Sequence, residues 1–139
     1  MTKSDNGGTD DRPVALVVDD HADGRDIASR VLASLGLRIV EEANGRDALH
    51  RVRSERPAVV ILDLALPGLD GWTVARKLKS DPATSDIPIV GYTAHAERAP
   101  LERAREAGCD VVLTKPCPPR DLARSVQELL QSRRVQEEA

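Results

Sequence analysis

The stretch Ala58-Val59-Val60-Ile61-Leu62-Asp63-Leu64-Ala65-Leu66-Pro67-Gly68 decides the fold. Its apolar run predicts a strand covered on both faces. Asp63 ends the run, and Leu66-Pro67-Gly68 supplies a turn just after it. Two other runs end in charge. Val14-Ala15-Leu16-Val17-Val18 leads into Asp19-Asp20, and Val111-Val112-Leu113 reaches Lys115 after one threonine. As parallel strands of one sheet, these runs bring three carboxylates and an ammonium to their C-terminal ends. Open α/β sheets place their ligands there.

The rest of the chain fits that sheet. Strands are predicted at Val14–Val18, Leu37–Glu41, Ala58–Leu62, Ile87–Tyr92 and Val111–Leu113. Helical spacing lies between them. Ile27, Val31 and Leu35, with Ala28 and Leu32 beside them, mark the first helix. Ala48, Leu49 and Val52 mark the second, and Val74, Ala75 and Leu78 the third. Leu101, Ala104 and Ala107 mark the fourth, and Leu122, Val126, Leu129 and Leu130 the fifth. Gly36 and Gly108 stand where helices one and four should stop in a left-handed cap. Pro118-Pro119 precede the fifth helix, as proline does at a first turn. Pro100 fits if the regular part of helix four begins there.

Strands and helices alternating in this way give an α/β fold, a three-layer α/β/α sandwich of the flavodoxin-like type. Its five-stranded parallel sheet is expected in the order 2-1-3-4-5, which sets Asp19-Asp20 beside Asp63. With 139 residues one domain is the natural reading. We expect a polar, disordered lead-in over 1–12, the domain over 13–133, and a frayed tail over 134–139.

Composition excludes several functions. A net charge of −3 and the absence of Phe, with one Tyr and one Trp, argue against nucleic-acid binding. The core must come from Val, Leu, Ile and Ala. Cys109, expected at the start of strand five, and Cys117 just after it make neither a disulfide framework nor a zinc knuckle. No apolar stretch reaches membrane-spanning length, and Met1–Arg12 is unlike a signal peptide, so a cytoplasmic protein is expected. Met1 directly before that lead-in favours a stand-alone protein over a domain cut from a larger one.

The charged strand ends suit Mg²⁺, which takes hard oxygen ligands and keeps several waters. Asp20 and Asp63 can supply direct carboxylate oxygens, Asp19 can hold a coordinated water, and the Ala65 carbonyl can add a third protein oxygen. Three such carboxylates repel one another without a cation. The same set suits phosphoryl transfer, with Asp63 as nucleophile forming an acyl phosphate. Lys115 and the Thr93 hydroxyl, at the end of strand four, can hold phosphoryl oxygens. Each group has a plainer role available: Asp20 as a helix cap, Lys115 as a solvated strand end, Thr93 as an ordinary strand residue. Their convergence from four elements outweighs those roles. His21, His50 and His95 lack metal-ligand spacing, and neither His21 nor His95 is assigned a catalytic role. Trp72 reads as a partly exposed packing residue.

These motifs resemble a response-regulator receiver domain of two-component signal transduction. They are Val17-Val18-Asp19-Asp20, Asp63 through Gly71, Ile89-Val90-Gly91-Tyr92-Thr93-Ala94 and Lys115-Pro116, and the match extends from Arg12 to about Arg133. The resemblance implies a signalling protein that takes a phosphoryl group on Asp63 from a sensor histidine kinase or a histidine phosphotransfer protein. It implies Mg²⁺ held by Asp19, Asp20, Asp63 and the Ala65 carbonyl, with Thr93 and Lys115 at the phosphoryl group. It also implies a cis Lys115–Pro116 peptide, a geometry largely confined to X–Pro bonds.

Two departures carry expectations. Val112 stands where family members carry a switching aromatic on strand five, so helix four and strand five should respond weakly or by another route. Ala65 shields the acyl phosphate little, which predicts fast hydrolysis. Helix four, strand five and helix five, with Arg103, Arg105, Arg120 and Arg124 among Glu102 and Glu106, form the expected docking or homodimer face. The competing readings are a small Mg-dependent phosphatase, a degenerate receiver that only binds partners, and a flavin protein. The phosphatase lacks its usual second acid at position 65 and any cap domain. Intact Asp20, Asp63, Thr93 and Lys115 oppose degeneracy. Three acids are poor company for a flavin phosphate.

Overall fold

A computed structural model describes residues 10–93, 102–103, 105–115 and 117–138, with 133–138 as backbone only. Five strands form one parallel sheet: β1 (Val14–Val18), β2 (Arg38–Glu42), β3 (Val59–Asp63), β4 (Ile89–Thr93) and β5 (Val111–Thr114). Their order is β2-β1-β3-β4-β5, as the alternation predicts. Helices α1 (Ala22–Ala33), α2 (Gly45–Glu55) and α3 (Gly71–Ser80) join the early strands, and a C-terminal helix spans Pro119–Glu138. The predicted bounds of β1 match, and those of the other strands differ by up to two residues. The most consequential shift makes Asp63 the last residue of β3, where it pairs with Tyr92.

Strand alternation sorts the core into two layers. Leu16, Val18, Val60 and Leu62 face α2 and α3, packing on Ala48, Val52, Val74 and Leu78. Ala15, Val17, Val59 and Ile61 face the other way, against Ala28, Leu32, Leu122 and Val126. Both faces of β1 and β3 are buried, so their side chains are apolar throughout until the acids begin. Asp70 caps α3 by accepting from the Thr73 amide at 2.8 Å, and Asn44 caps α2 through the Asp47 amide at 2.9 Å. Gly36 and Gly108 take positive φ of 87° and 107°, as expected of glycines that turn a chain out of a helix.

Two local expectations are corrected. On α1 Ala28 and Leu32 are buried and Val31 and Leu35 pack partly against the same layer, as their shared face implies, whereas Ile27 is exposed and Leu35 lies past the helix end. Ile27 sits at the margin of that face, and packing on the sheet leaves it out. Cys109 precedes β5 instead of opening it. There Asp110 turns its carboxylate back to the Ile89 amide (2.7 Å) and the Lys79 ammonium (3.1 Å). The backbone of the C-terminal helix runs to Glu138, in keeping with the helix propensity of Gln, Arg and Glu. Residues 1–9, His95, Pro100 and Pro116 fall outside the described residues, and with them most of the lead-in and the cis peptide.

Candidate functional site

The sheet order sets the ends of β1 and β3 side by side. Asp19 and Asp20 follow β1 and Asp63 ends β3; Asp19 and Asp63 are buried, Asp20 half-buried. Ligand atoms of Asp19, Asp20, Asp63 and His21 all lie within 4.8 Å of one another. From β5 the Lys115 ammonium reaches Asp63 Oδ2 at 3.2 Å and Asp19 Oδ2 at 3.7 Å. Thr93, buried at the end of β4, accepts the Lys115 backbone amide on its carbonyl at 2.8 Å. That bond ties the threonine and the lysine into one edge.

Asp63 and Asp19 are held by backbone as well. The Ala65 amide donates to Asp63 Oδ1 at 2.9 Å, and the His21 amide donates to Asp19 Oδ1 at 2.8 Å. Both are Asx-type turns, in which a side chain accepts from the amide two residues on. Ala65 itself is exposed and offers only a methyl beside the Asp63 carboxylate.

Three further contributors flank the acids; the sequence reading weighed His21 without assigning it a catalytic role and gave none to Arg25 or Gly71. His21 Nδ1 lies 3.2 Å from Asp20 Oδ1 and 3.5 Å from Asp19 Oδ1. Arg25 donates to the Asp19 carbonyl at 2.7 Å and pairs with Glu41 at 3.3 Å, fixing the β1–α1 corner. Gly71 starts α3 hard against the Asp63–Leu64 backbone. Their only sequence signal is position, one helical turn or less from the acids or the turn. Trp72, as predicted, is half-buried; it packs against the α2–α3 side of the core, and the Arg103 guanidinium stands 4.6 Å from its ring centre.

The donor set fits a hard divalent cation. Asp20 Oδ1 is buried and accepts no hydrogen bond, which is costly for a carboxylate oxygen unless a cation or donor arrives. Clustered carboxylate oxygens are the ligands Mg²⁺ selects.

A parallel α/β sheet with acids from two strand ends and a lysine from a third defines a class of signalling domain, and comparison with known proteins agrees. The response regulator receiver domain family matches residues 15–127, and the chain belongs to that family. It is 36% identical over 115 residues to the phosphate regulon transcriptional regulatory protein PhoB of Pseudomonas aeruginosa, covering 83% of this chain and 50% of that one. The polar-differentiation response regulator DivK of Brucella anthropi is 30% identical over 101 residues, 73% of this chain and 82% of its own. The chain thus spans about half the length of PhoB and of the similar ycf27 regulators. Among solved structures, the receiver domain of a signal transduction histidine kinase from Syntrophus aciditrophicus superposes with a TM-score of 0.81 at 30% identity, covering 86% of this chain and 91% of that one. The receiver domain of a sensor histidine kinase from Pseudomonas aeruginosa, with magnesium coordinated in its active-site cleft, gives 0.80 at 28% identity over 86% and 98% of the two chains. No helix among the described residues is long and apolar enough to cross a membrane.

Proposed function

We propose that the protein accepts a phosphoryl group on Asp63 from a sensor histidine kinase or a histidine phosphotransfer protein, with Mg²⁺ as cofactor. The observation that carries this reading is the meeting of Asp19, Asp20 and Asp63 beneath the Lys115 ammonium. Asp63 is the nucleophile, because it lies nearest the lysine and its other oxygen meets the amide of the exposed Ala65. A carboxylate is already ionised at neutral pH, so the attack needs no general base. Asp19, Asp20, Asp63 and the Ala65 carbonyl would hold the cation. When bound, Mg²⁺ offsets the carboxylate repulsion and the charge on the transferring group. Lys115 pairs with a phosphoryl oxygen in place of Asp63 Oδ2, and the Thr93 hydroxyl donates to another.

Val112 is half-buried against the α2–α3 core layer, beside which Trp72 also packs. An aliphatic side chain packed there offers no large ring to swing, so the output travels by another route than an aromatic rotation.

The test is incubation with Mg²⁺ and acetyl phosphate followed by intact mass. One phosphoryl adduct, absent in Asp63→Ala, is expected. A folded protein that gains no adduct, or an adduct that survives Asp63→Ala, overturns the reading. Repeated turnover of unrelated phosphate esters would replace it with a phosphatase.

A further inference from the structure

A cavity of about 470 Å³ opens beside the acidic cluster, between α1 and the start of the C-terminal helix. Small-molecule sites typically enclose about 300–1,000 Å³. The phosphoacceptor chemistry uses only the end lined by Asp19 and Lys115, and its apolar part has no role there. Its floor is Val17 and Ile61 of the sheet, its walls Ala28 and Val31 on one side and Leu122 on the other. The space exists because α1 presents Gly24 and Ala28 here, where larger residues would close it. Ile27 lines the same cavity with 56% of its surface exposed, the one exposed large hydrophobic among the described residues. Apolar surface left open beside an apolar hollow marks a binding site.

One end of the cavity is charged, with Asp19, His21 and Lys115 in its lining. A Cβ on Gly24 would collide with Asp19 Oδ2, so the bare glycine leaves that oxygen open on the cavity side. Asp20 and Asp63 stand just behind, and their charge with Asp19 outweighs Lys115 even with His21 protonated. The head group this end attracts is therefore a cation.

We propose that the cavity binds a small amphiphilic amine. An aromatic or branched aliphatic body lies between α1 and the C-terminal helix, and the ammonium sits at Asp19. The regulatory consequence rests on the phosphoacceptor reading: the bound amine and the divalent cation compete for the same carboxylates.

The test is methyl NMR of the metal-free, unphosphorylated full chain titrated with 4-phenylbutylamine. Saturable shifts are expected at Ala28, Val31, Ile61 and Leu122. 4-Phenylbutanoate, with the same body and the opposite charge, should bind at least about tenfold more weakly, a difference of about 1.4 kcal/mol. Ala28→Leu or Val31→Phe should weaken the amine by a similar factor while circular dichroism and Tm are retained, and Mg²⁺ should raise its apparent Kd. Shifts confined to amides around Asp19, Asp20 and Asp63 would mean an adventitious ammonium and overturn the proposal. So would equal binding of the carboxylate, or binding that survives both filled variants. No saturable shift with the amine would also overturn it, including a result in which only a phosphodonor protein moves these methyls. Because the titration uses neither metal nor phosphodonor, its failure leaves the Asp63 chemistry untouched, and a missing Asp63 adduct leaves the cavity untouched.

Discussion

A Cβ built on Gly71 would lie 2.5 Å from the carbonyl oxygen of Asp63 and 2.5 Å from the Leu64 Cα. The first residue of α3 and the end of β3 therefore touch through backbone alone, and the Gly71 amide donates to the Leu64 carbonyl at 3.2 Å. Any side chain at position 71 must push one of the two away. Gly71→Ala should cost about 2 kcal/mol in urea unfolding, within the usual range for overpacking. It should also slow phosphorylation of the folded fraction by displacing Asp63. A variant as stable and as fast as the parent would show that this corner yields freely.

Mg²⁺ held by the native cluster should stabilise the fold, because the unfolded chain has no such cluster. At free Mg²⁺ of about 100 times Kd the gain is about 2.7 kcal/mol. Asp20→Asn removes a carboxylate whose Oδ1 has no hydrogen-bond donor, and should lose more than half of that gain. A Tm indifferent to Mg²⁺ in the parent protein would end the metal assignment.

Ala65 is exposed, and its amide reaches the Asp63 carboxylate at 2.9 Å. Its methyl does little to shield an acyl phosphate from water. Replacing Ala65 by a bulky side chain, as in Ala65→Gln, should lengthen the adduct's lifetime severalfold, read by intact mass after removal of the donor. An unchanged lifetime would mean that attack comes from another side.

Burial, with the charge of Asp110 adding to it, pushes the Cys109 thiol up to about 12 from its ordinary 9.0. The folded state thus prefers the protonated thiol. Its contribution is fully present below pH 9 and is lost as pH rises toward 12. Tm should fall over that alkaline window, and Cys109→Ala should flatten the fall. Equal slopes in the two proteins would show that the thiol does not share in it.

Much of this protein was legible in its residues. Charge-ended apolar runs, helical spacing between them and glycines at helix ends are local signals, and they predicted five strands, their order and the acids that meet at one edge. Asp19, Asp20, Asp63, Thr93 and Lys115 were all nameable because each follows or ends a strand, and parallel strands end on the same side. The margin of α1's buried face was not legible. Ile27, Ala28, Val31 and Leu32 are all apolar, and only docking on Val17 and Ile61 buried Ala28 and Leu32 while leaving Ile27 beside a cavity.

Closeness across the chain belongs to tertiary structure. Lys115 and Asp63 are 52 residues apart yet 3.2 Å from contact to contact, and strand register, which depends on every layer packing at once, sets that distance. The same holds for the bare glycines at 24 and 71. Read along the chain they are ordinary helix-start residues, and only the folded backbone shows the Asp19 carboxylate and the Asp63 carbonyl occupying the space where a side chain would go. Residue type and local period settled which groups the protein carries and which elements bear them. Packing settled how near they come and what room is left between them.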